Sequence, residues 1–162
     1  MINLINNIIL FIINKMNANS CLNIIMNETI KYNNSILIKS NTLIETYHYS
    51  RTFNIDMNFK LINIKLNIPL VGIDKEKQYA RILLYFDDEM ICDGSIWSHI
   101  QWELKPLFLE GIATNVKEGN HKIKLMCCVT GGSLNIPYFD TNSVLFKIKP
   151  ELSSKLIVIG QN

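Results

Sequence analysis

Residues 62–68, which read INIKLNI, show the pattern that decides the fold of this 162-residue chain. Isoleucine or leucine stands at positions 62, 64, 66 and 68, and Asn63, Lys65 and Asn67 stand between them. Successive side chains of a β-strand point to opposite faces of the sheet, so this spacing predicts a strand that is buried on one side. Pro69 has no backbone N–H for a neighbouring strand, and we expect it to end this strand.

The same alternation recurs along the chain. It appears in HKIKLMCCV (residues 121–129), where positions 123, 125, 127 and 129 face inward, and in SVLFKIKP (residues 143–150). Further strands are predicted at residues 35–40, 42–49, 52–56, 79–86, 89–92, 95–104, 107–113 and 155–159.

Short segments rich in Gly, Asp and Asn separate these strands, and no window predicts a helix of ten or more residues. Parallel sheets need crossover helices, so the sheets should be antiparallel. We therefore predict an all-β fold, an antiparallel β-sandwich of the jelly-roll type with about 8–10 strands.

The composition limits the classes of function. Hydrophobic residues make up 48% of the chain, which argues against disorder. Sixteen Lys and Arg balance 14 Asp and Glu, and a nucleic-acid partner normally needs a larger basic excess. The 27 isoleucines, 20 asparagines and only two arginines are typical of an AT-rich genome. The two sequons, at Asn27 and Asn33, therefore match the glycosylation pattern no more often than chance predicts.

The first 20 residues allow three interpretations. The apolar run MINLINNIILFII, residues 1–13, is too short to span a bilayer as a helix. It is a signal segment or anchor, an extension upstream of a true start at Met16, or a leader strand. In each case we expect residues 21–162 to form the β-sandwich domain, with no membrane span.

The four cysteines do not predict a metal site. Cys21, Cys92, Cys127 and Cys128 form no C-x-x-C pair and fit no zinc spacing. Adjacent residues of a strand point to opposite faces, so Cys127 and Cys128 cannot hold one ion together. We expect buried free thiols, with a disulfide from Cys92 to one of that pair as the alternative, and no cofactor.

An acidic group lies in YFDDEMICDG, residues 85–94. Four carboxylates within seven residues can bind calcium, although their spacing lacks the alternation of an EF-hand loop. Turn formation by aspartates explains them more simply. The weak calcium candidates are Asp87, Asp88, Glu89 and Asp93.

Aromatic residues are the best candidates for a ligand or interface site. In residues 95–106, SIWSHIQWELKP, one strand face carries Trp97 and His99, and the other carries Trp102. An exposed indole beside a histidine and acids suits stacking of a pyranose ring, but a core or subunit-interface role is the interpretation that we favour. In TYHYS, residues 46–50, Tyr47 and Tyr49 should share one face of a strand.

No catalytic signature is visible. Each histidine stands apart from any nucleophile motif, and no glycine-rich phosphate loop is present. A pair of carboxylates that meet only in space is the one enzymatic arrangement that the sequence leaves open. We therefore predict a protein that is not an enzyme.

Three segments resemble the jelly-roll heads of viral fibres and related trimeric surface proteins of the tumour-necrosis-factor and C1q type. ARILLYFDDEMICDG resembles their strand–acidic turn–strand unit, and VKEGNHKIKLMCCVTGG, with Gly119 and His121, is similar to a strand entry of those heads. KLIVIG is similar to their last strand. The resemblance covers residues 79–160, without the stalk that often precedes such heads.

The resemblance implies a homo-oligomer, with a trimer favoured, that recognises a cell-surface receptor or glycan on a virion surface or outside the cell. Our leading hypothesis is accordingly a non-enzymatic head domain for surface recognition, self-assembly or both. The alternative is a monomeric carbohydrate-binding module, and the third hypothesis is a glycan-processing enzyme on a sandwich scaffold.

Overall fold

Two antiparallel β-sheets pack face to face in a computed structural model, which describes residues 22–31, 36–101, 103–136 and 153–162. The described strands are β1 (Leu22–Lys31), β2 (Ile36–Ile38), β3 (Ile44–Glu45), β4 (Arg51–Ile55), β5 (Phe59–Ile73), β6 (Gln78–Phe86), β7 (Glu89–Ser98), β8 (Leu104–Val116), β9 (Gly119–Val129), β10 (Leu134–Ile136) and β11 (Ser153–Gln161). A 3₁₀ turn, Tyr47–Tyr49, lies between β3 and β4. Within these ranges no helix is long and apolar enough to cross a membrane.

The pairing of the strands is that of a jelly roll. In sheet A, β1 pairs with β11, β11 pairs with β5, and β8 lies along the other edge of β5. The short strand β10 pairs with the last residues of β5, and β2 pairs with β10. In sheet B, β3 and β4 both pair with one edge of β9. The other edge of β9 pairs with β6, and β6 pairs with β7. Counting β3 and β4 as one strand, the eight principal strands run 1-8-3-6 in sheet A and 2-7-4-5 in sheet B. This order confirms the predicted fold class.

The core lies between the sheets and follows the predicted alternation. The residues at positions 62, 64, 66 and 68 of β5 are at most 2% exposed, and so are those at positions 123, 125, 127 and 129 of β9. Because β5 and β9 each lie inside a sheet with partners on both edges, their inward side chains meet at the centre of the sandwich. The two segments with the clearest alternation therefore form the middle of the core.

Pro69 does not end β5, and that prediction is wrong. The strand continues to Ile73, and its pairing with β8 shifts between Ile68 and Val71. A β-bulge is a place where a strand tolerates a residue that cannot donate a ladder hydrogen bond. The bulge accommodates the proline, so the strand extends beyond it.

Two other predicted boundaries are wrong. The separate strands at 89–92 and 95–104 are one strand, Glu89–Ser98, with Gly94 inside it. An added Cβ at Gly94 would contact the side chain of Leu109, so this glycine allows β7 and β8 to approach closely and does not mark a turn. The predicted strand at 42–49 is the short strand β3 followed by the 3₁₀ turn.

Some predictions lie outside the described residues. They are the leader at 1–20 and the strand at 143–150.

An ion pair joins the two sheets along one side of the sandwich. Arg51 on β4 donates to Glu28 on β1 through Nε, 2.6 Å from Oε2, and through Nη2, 2.7 Å from Oε1. This bidentate geometry is the strongest form of an arginine–carboxylate contact. The hydrogen bond from Arg51 lowers the pKa of Glu28 below its ordinary value of 4.5.

We expect Glu28→Gln to lower the free energy of unfolding at pH 7 by about 0.5–1 kcal/mol, because the pair is partly exposed to solvent. The pKa of Glu28 is lower in the folded than in the unfolded chain, so the stabilisation is complete above pH 4.5 and is lost as the pH falls through the folded value. Urea unfolding at a series of pH values should show the gap between wild type and variant closing in acid. Glu89→Gln is the control, and a gap that stays constant at every pH would contradict the assignment.

Candidate functional site

Three aromatic rings meet on the outer face of sheet B. Tyr79 on β6 pairs directly with Trp97 on β7, and their ring centroids are 6.4 Å apart. The ring of His99 lies 6.4 Å from that of Trp97, at 64° to it. We call Tyr79, Trp97 and His99 the aromatic platform. The indole is 47% exposed, so the platform presents an accessible aromatic surface.

The register of the β6–β7 hairpin builds this platform. Ala80 and Ile96 pair with each other and face the core, which places their neighbours Tyr79 and Trp97 on the outer face. The strand ends at Ser98, whose carbonyl accepts from Lys77 N at 2.7 Å. The sequence predicts Trp97 and His99 as site residues in this segment, and both belong to the platform. Tyr79 was missed because only the pairing of two strands brings it there.

The loop after β7 is held by Glu103. Its carboxylate accepts from the backbone N of His99 at 2.9 Å and lies 3.0 Å from Lys105 Nζ. These two contacts lower the pKa of Glu103, with the His99 backbone contact the larger cause. Lys105 Nζ also donates to the carbonyl of Trp97 at 2.8 Å. The backbone beneath the platform is therefore tied to β8.

Polar groups surround the platform on its sheet. Thr130 Oγ1 accepts from Tyr79 N and lies 3.0 Å from Gln78 Oε1, to which it donates. Arg81 is two residues after Tyr79 and therefore on the same face of β6. It contacts Asp93 Oδ2 at 2.6 Å, and the side chains of Arg81 and Asp93 are each about two-fifths exposed. The hydrogen bond to Asp93 raises the pKa of Arg81. We call Gln78, Arg81, Asp93 and Thr130 the polar rim.

The other predicted aromatic candidates do not join the platform. Tyr47 and Tyr49 lie in the 3₁₀ turn, and the prediction that they share one strand face is wrong. Tyr47 is 78% exposed, whereas Tyr49 is 1% exposed and its hydroxyl lies 3.5 Å from Ser154 Oγ. A tight turn rotates successive side chains by about a third of a circle rather than half, which separates the two rings. Trp102 lies outside the described residues.

The acidic group is distributed among separate basic partners. Asp88 lies 2.6 Å from Lys124 Nζ, and that contact lowers the pKa of Asp88, whereas Asp93 pairs with Arg81. Asp87 contacts His121, and Glu89 is an exposed first residue of β7. In the described part of the chain, no three His, Cys, Asp or Glu side chains are grouped so that they could hold a metal ion. Asp87 and Asp88 therefore attach this hairpin to β9, whereas Asp93 forms its ion pair within the hairpin.

His121 has a structural role at the start of β9. Its Nδ1 lies 2.9 Å from Asp87 Oδ2, and its Nε2 lies 2.8 Å from the carbonyl oxygen of Lys117. The ring stacks on Phe86, with centroids 5.1 Å apart and an angle of 17°. Asp87 Oδ1 also accepts from Lys122 N at 2.8 Å. The histidine thus connects the β6–β7 turn to the β8–β9 turn.

The described cysteines are free thiols on two strands. Cys127 faces the core, whereas Cys128 faces outward and is half-buried. Cys92 lies on β7, which β6 separates from β9, so the alternative of a disulfide from Cys92 to that pair is wrong. Burial raises the pKa of Cys127 to about 12. Cys21 lies outside the described residues.

We expect Cys127 to resist alkylation by iodoacetamide in the native protein at pH 8, because the thiolate is the reactive form and its pKa is about 12. Cys128, its neighbour in sequence, is the internal control and should label faster. Peptide mass spectrometry locates each label and so distinguishes Cys127 from Cys128. Labelling of Cys127 at the same rate in the native protein and in concentrated urea would contradict its placement.

A second surface lies on the outer face of sheet A. One row across four strands consists of Ile112 on β8, Asn63 on β5, Ile159 on β11 and Ile24 on β1. Adjacent rows add further apolar side chains. We call the resulting set the apolar face, and its members are Leu22, Ile24, Leu61, Ile112, Ile157 and Ile159.

Two charged residues beside the apolar face form an ion pair. Lys65 Nζ lies 3.0 Å from Glu110 Oε1, which also accepts from Asn63 Nδ2 at 2.7 Å. Phe108 is 70% exposed and lines a shallow depression of about 220 Å³ together with Lys65, Asn67 and Lys155. This surface could not be predicted from the sequence, because its members come from four strands that are distant in the chain.

Comparison with known proteins supports the fold. No family model matches the chain, and no curated protein sequence matches it. The chain is similar in structure to VP2 of the infectious bursal disease virus subviral particle, with a TM-score of 0.53, 9% identity, and coverage of 86% of this chain and 33% of that chain. It spans about one third of the length of that viral protein.

Two carbohydrate-binding proteins are also similar, at lower scores. The C-terminal domain of EclA, a sugar-binding protein, has a TM-score of 0.41 and 10% identity, over 74% of this chain and 75% of that chain. A carbohydrate-binding module of Cellvibrio mixtus lichenase 5A, in complex with cellotriose, has a TM-score of 0.34 and 10% identity, over 86% of this chain and 99% of that chain. At 9% identity, the likeness to the viral protein is one of fold alone.

Proposed function

We propose that the protein is a non-enzymatic jelly-roll domain that associates with a second copy of itself through the apolar face of sheet A. The observation that carries this proposal is a row across four strands of an outer sheet face, in which isoleucines 24, 159 and 112 lie on β1, β11 and β8 and Asn63 lies on β5. The outer faces of antiparallel sheets normally carry polar side chains, and a contiguous apolar patch there marks an interaction surface.

The ion pair at this face favours a second copy over a strongly charged partner. Lys65 and Glu110, which lie beside the apolar face, neutralise each other, so they add no net charge to it. A flat surface without net charge can lie against its own two-fold copy without bringing like charges together. An isologous contact of this kind closes as a dimer, whereas the trimer that the resemblance implies needs two different surfaces.

The size of the face predicts a weak association. The three rows of the face span about five residues of each strand, so four strands about 4.8 Å apart cover roughly 320 Å² in projection, or about 630 Å² for two copies. Specific interfaces begin at about 1,000 Å² in total, so the dimer should form in the micromolar range or above. Assembly would therefore depend on the local concentration of the protein, which is high on a surface that carries many copies.

The hypothesis of a glycan-processing enzyme receives no support from the described carboxylates near the platform. Asp93 is paired with Arg81, and Glu103 is engaged by Lys105 and the backbone of His99. A general acid in a glycosidase needs a raised pKa, whereas that of Glu103 is lowered. Binding and assembly fit these side chains better than hydrolysis.

Sedimentation equilibrium of the full chain from about 1 to 300 μM should show a rise from 18.7 kDa towards twice that mass, because an interface of this size gives a dissociation constant in that range. In Ile112→Lys, a charge replaces a half-exposed isoleucine on the β8 side of the apolar face, and the mass should stay at 18.7 kDa.

Met90→Lys is the matched control. Met90 is 46% exposed, close to the 51% of Ile112, but it lies on sheet B. This variant should associate like the wild type. A wild type that stays at 18.7 kDa throughout, or equal masses for Ile112→Lys and wild type, would refute the proposal.

A further inference from the structure

We infer that the aromatic platform on sheet B is a binding site for a neutral hexopyranose unit of a glycan, separate from the apolar face of sheet A. The inference goes beyond self-association, because the two surfaces belong to opposite faces of the sandwich. It rests on the exposed indole of Trp97, the rings beside it and the polar rim.

The first argument is the exposure of Trp97. The register of β7 turns the indole outward, where 47% of its surface contacts solvent, although its neighbours Ile96 and Ser98 are buried. A solvated aromatic face is unfavourable, and one that is flanked by two other rings forms a surface rather than an isolated side chain. A ligand that covers it gains apolar contact without any rearrangement of the strand.

The second argument is the polar rim, which an apolar partner could not satisfy. Arg81 and Asp93 are 41% and 42% exposed, and covering them with apolar atoms would remove water from both charges. A ligand for this site must therefore carry hydrogen-bonding groups beside an apolar surface. A pyranose ring has this character, since its C–H groups stack on an aromatic face and its hydroxyls point outward in the ring plane.

The spacing of the rim fits a ring stacked on Trp97. Ser95 is two residues before Trp97 on β7, which places it about 6.6 Å away on the same face. Arg81 pairs with Ser95 across the hairpin. Hydroxyls at the edge of a stacked pyranose would thus face the serine hydroxyl and the guanidinium, which has five N–H donors. On the side of β9, Thr130 Oγ1 accepts from Tyr79 N and donates to Gln78 Oε1.

The charges select a neutral sugar. Arg81 is neutralised by Asp93, and Lys105 by Glu103, so the platform offers no unpaired cation from these residues for a sugar carboxylate. A neutral ring can accept from Arg81 and donate to Asp93 without breaking the pair. An acidic sugar would have to compete with Asp93 for the guanidinium, whose hydrogen bond to that carboxylate is only 2.6 Å long.

The backbone beneath the platform is held in place before any ligand arrives. Lys105 Nζ contacts the Trp97 carbonyl at 2.8 Å, and Glu103 Oε2 accepts from the His99 backbone at 2.9 Å. A site fixed in this way spends little free energy on ordering when it binds. Even so, a shallow surface of this size should bind single glycans weakly, with dissociation constants of about 0.1–1 mM.

Isothermal titration of the full chain with cellopentaose, mannopentaose, lactose and sialyllactose tests the inference. We expect at least one neutral sugar to bind, and Trp97→Ala to weaken it about tenfold or more. Trp97→Phe should retain part of the affinity because a ring remains, and Arg81→Gln should weaken binding through the loss of its hydrogen bonds. Circular dichroism should show that every variant is folded, since Trp97 and Arg81 lie on the outer face.

Tyr47→Ala is the matched control, because Tyr47 is an exposed aromatic outside the platform, and it should bind like the wild type. Failure of every neutral sugar to bind at about 10 mM, or equal affinities for Trp97→Ala and wild type, would overturn the inference. Binding of sialyllactose more than about tenfold tighter than lactose would overturn the assignment to neutral sugars. None of these outcomes bears on self-association, which depends on the other sheet.

Discussion

The burial of two isoleucine-rich sheet faces against each other is the interaction on which the rest of the structure depends. β5 and β9 lie inside their sheets, and their inward side chains form the centre of the core. A slip of one residue in either strand would turn its entire apolar set towards solvent, so the register is strongly fixed. The same register determines what lies outside. Trp97 and Ile112 are exposed because Ile96 and Ala113, their neighbours in sequence, are buried.

The fold could be predicted from the sequence where the alternation is regular. Residues 62–68 and 121–129 are strands with the predicted inward positions, and the lack of a helical window correctly indicated antiparallel sheets. The failures have local causes. Pro69 lies in a bulge that the sequence does not reveal, and Gly94 serves close packing against Leu109 rather than a turn. Residues 47–49 form a 3₁₀ turn although the aromatic content of TYHYS is typical of a strand.

Less of the candidate site could be predicted, because both surfaces combine strands that are distant in sequence. Trp97 and His99 stand two residues apart and were identified together, whereas Tyr79 joins them only through the β6–β7 register. The apolar face depends on the order β1-β11-β5-β8, which brings Ile24 beside Ile159. No local pattern encodes such a neighbour. By contrast, Asp87 was a weak calcium candidate, and it instead contacts His121 and helps to connect two turns.

The most direct test of this account compares the free energies of unfolding of two alanine variants of β5. Ile64 is fully buried between the sheets, and Asn67, three residues later, points to the outer face. We expect Ile64→Ala to lose about 2–5 kcal/mol because it leaves a cavity at the centre of the core. Asn67→Ala should change the value by no more than about 0.5 kcal/mol. Similar losses for both variants would contradict the claim that alternating burial along β5 holds the two sheets together.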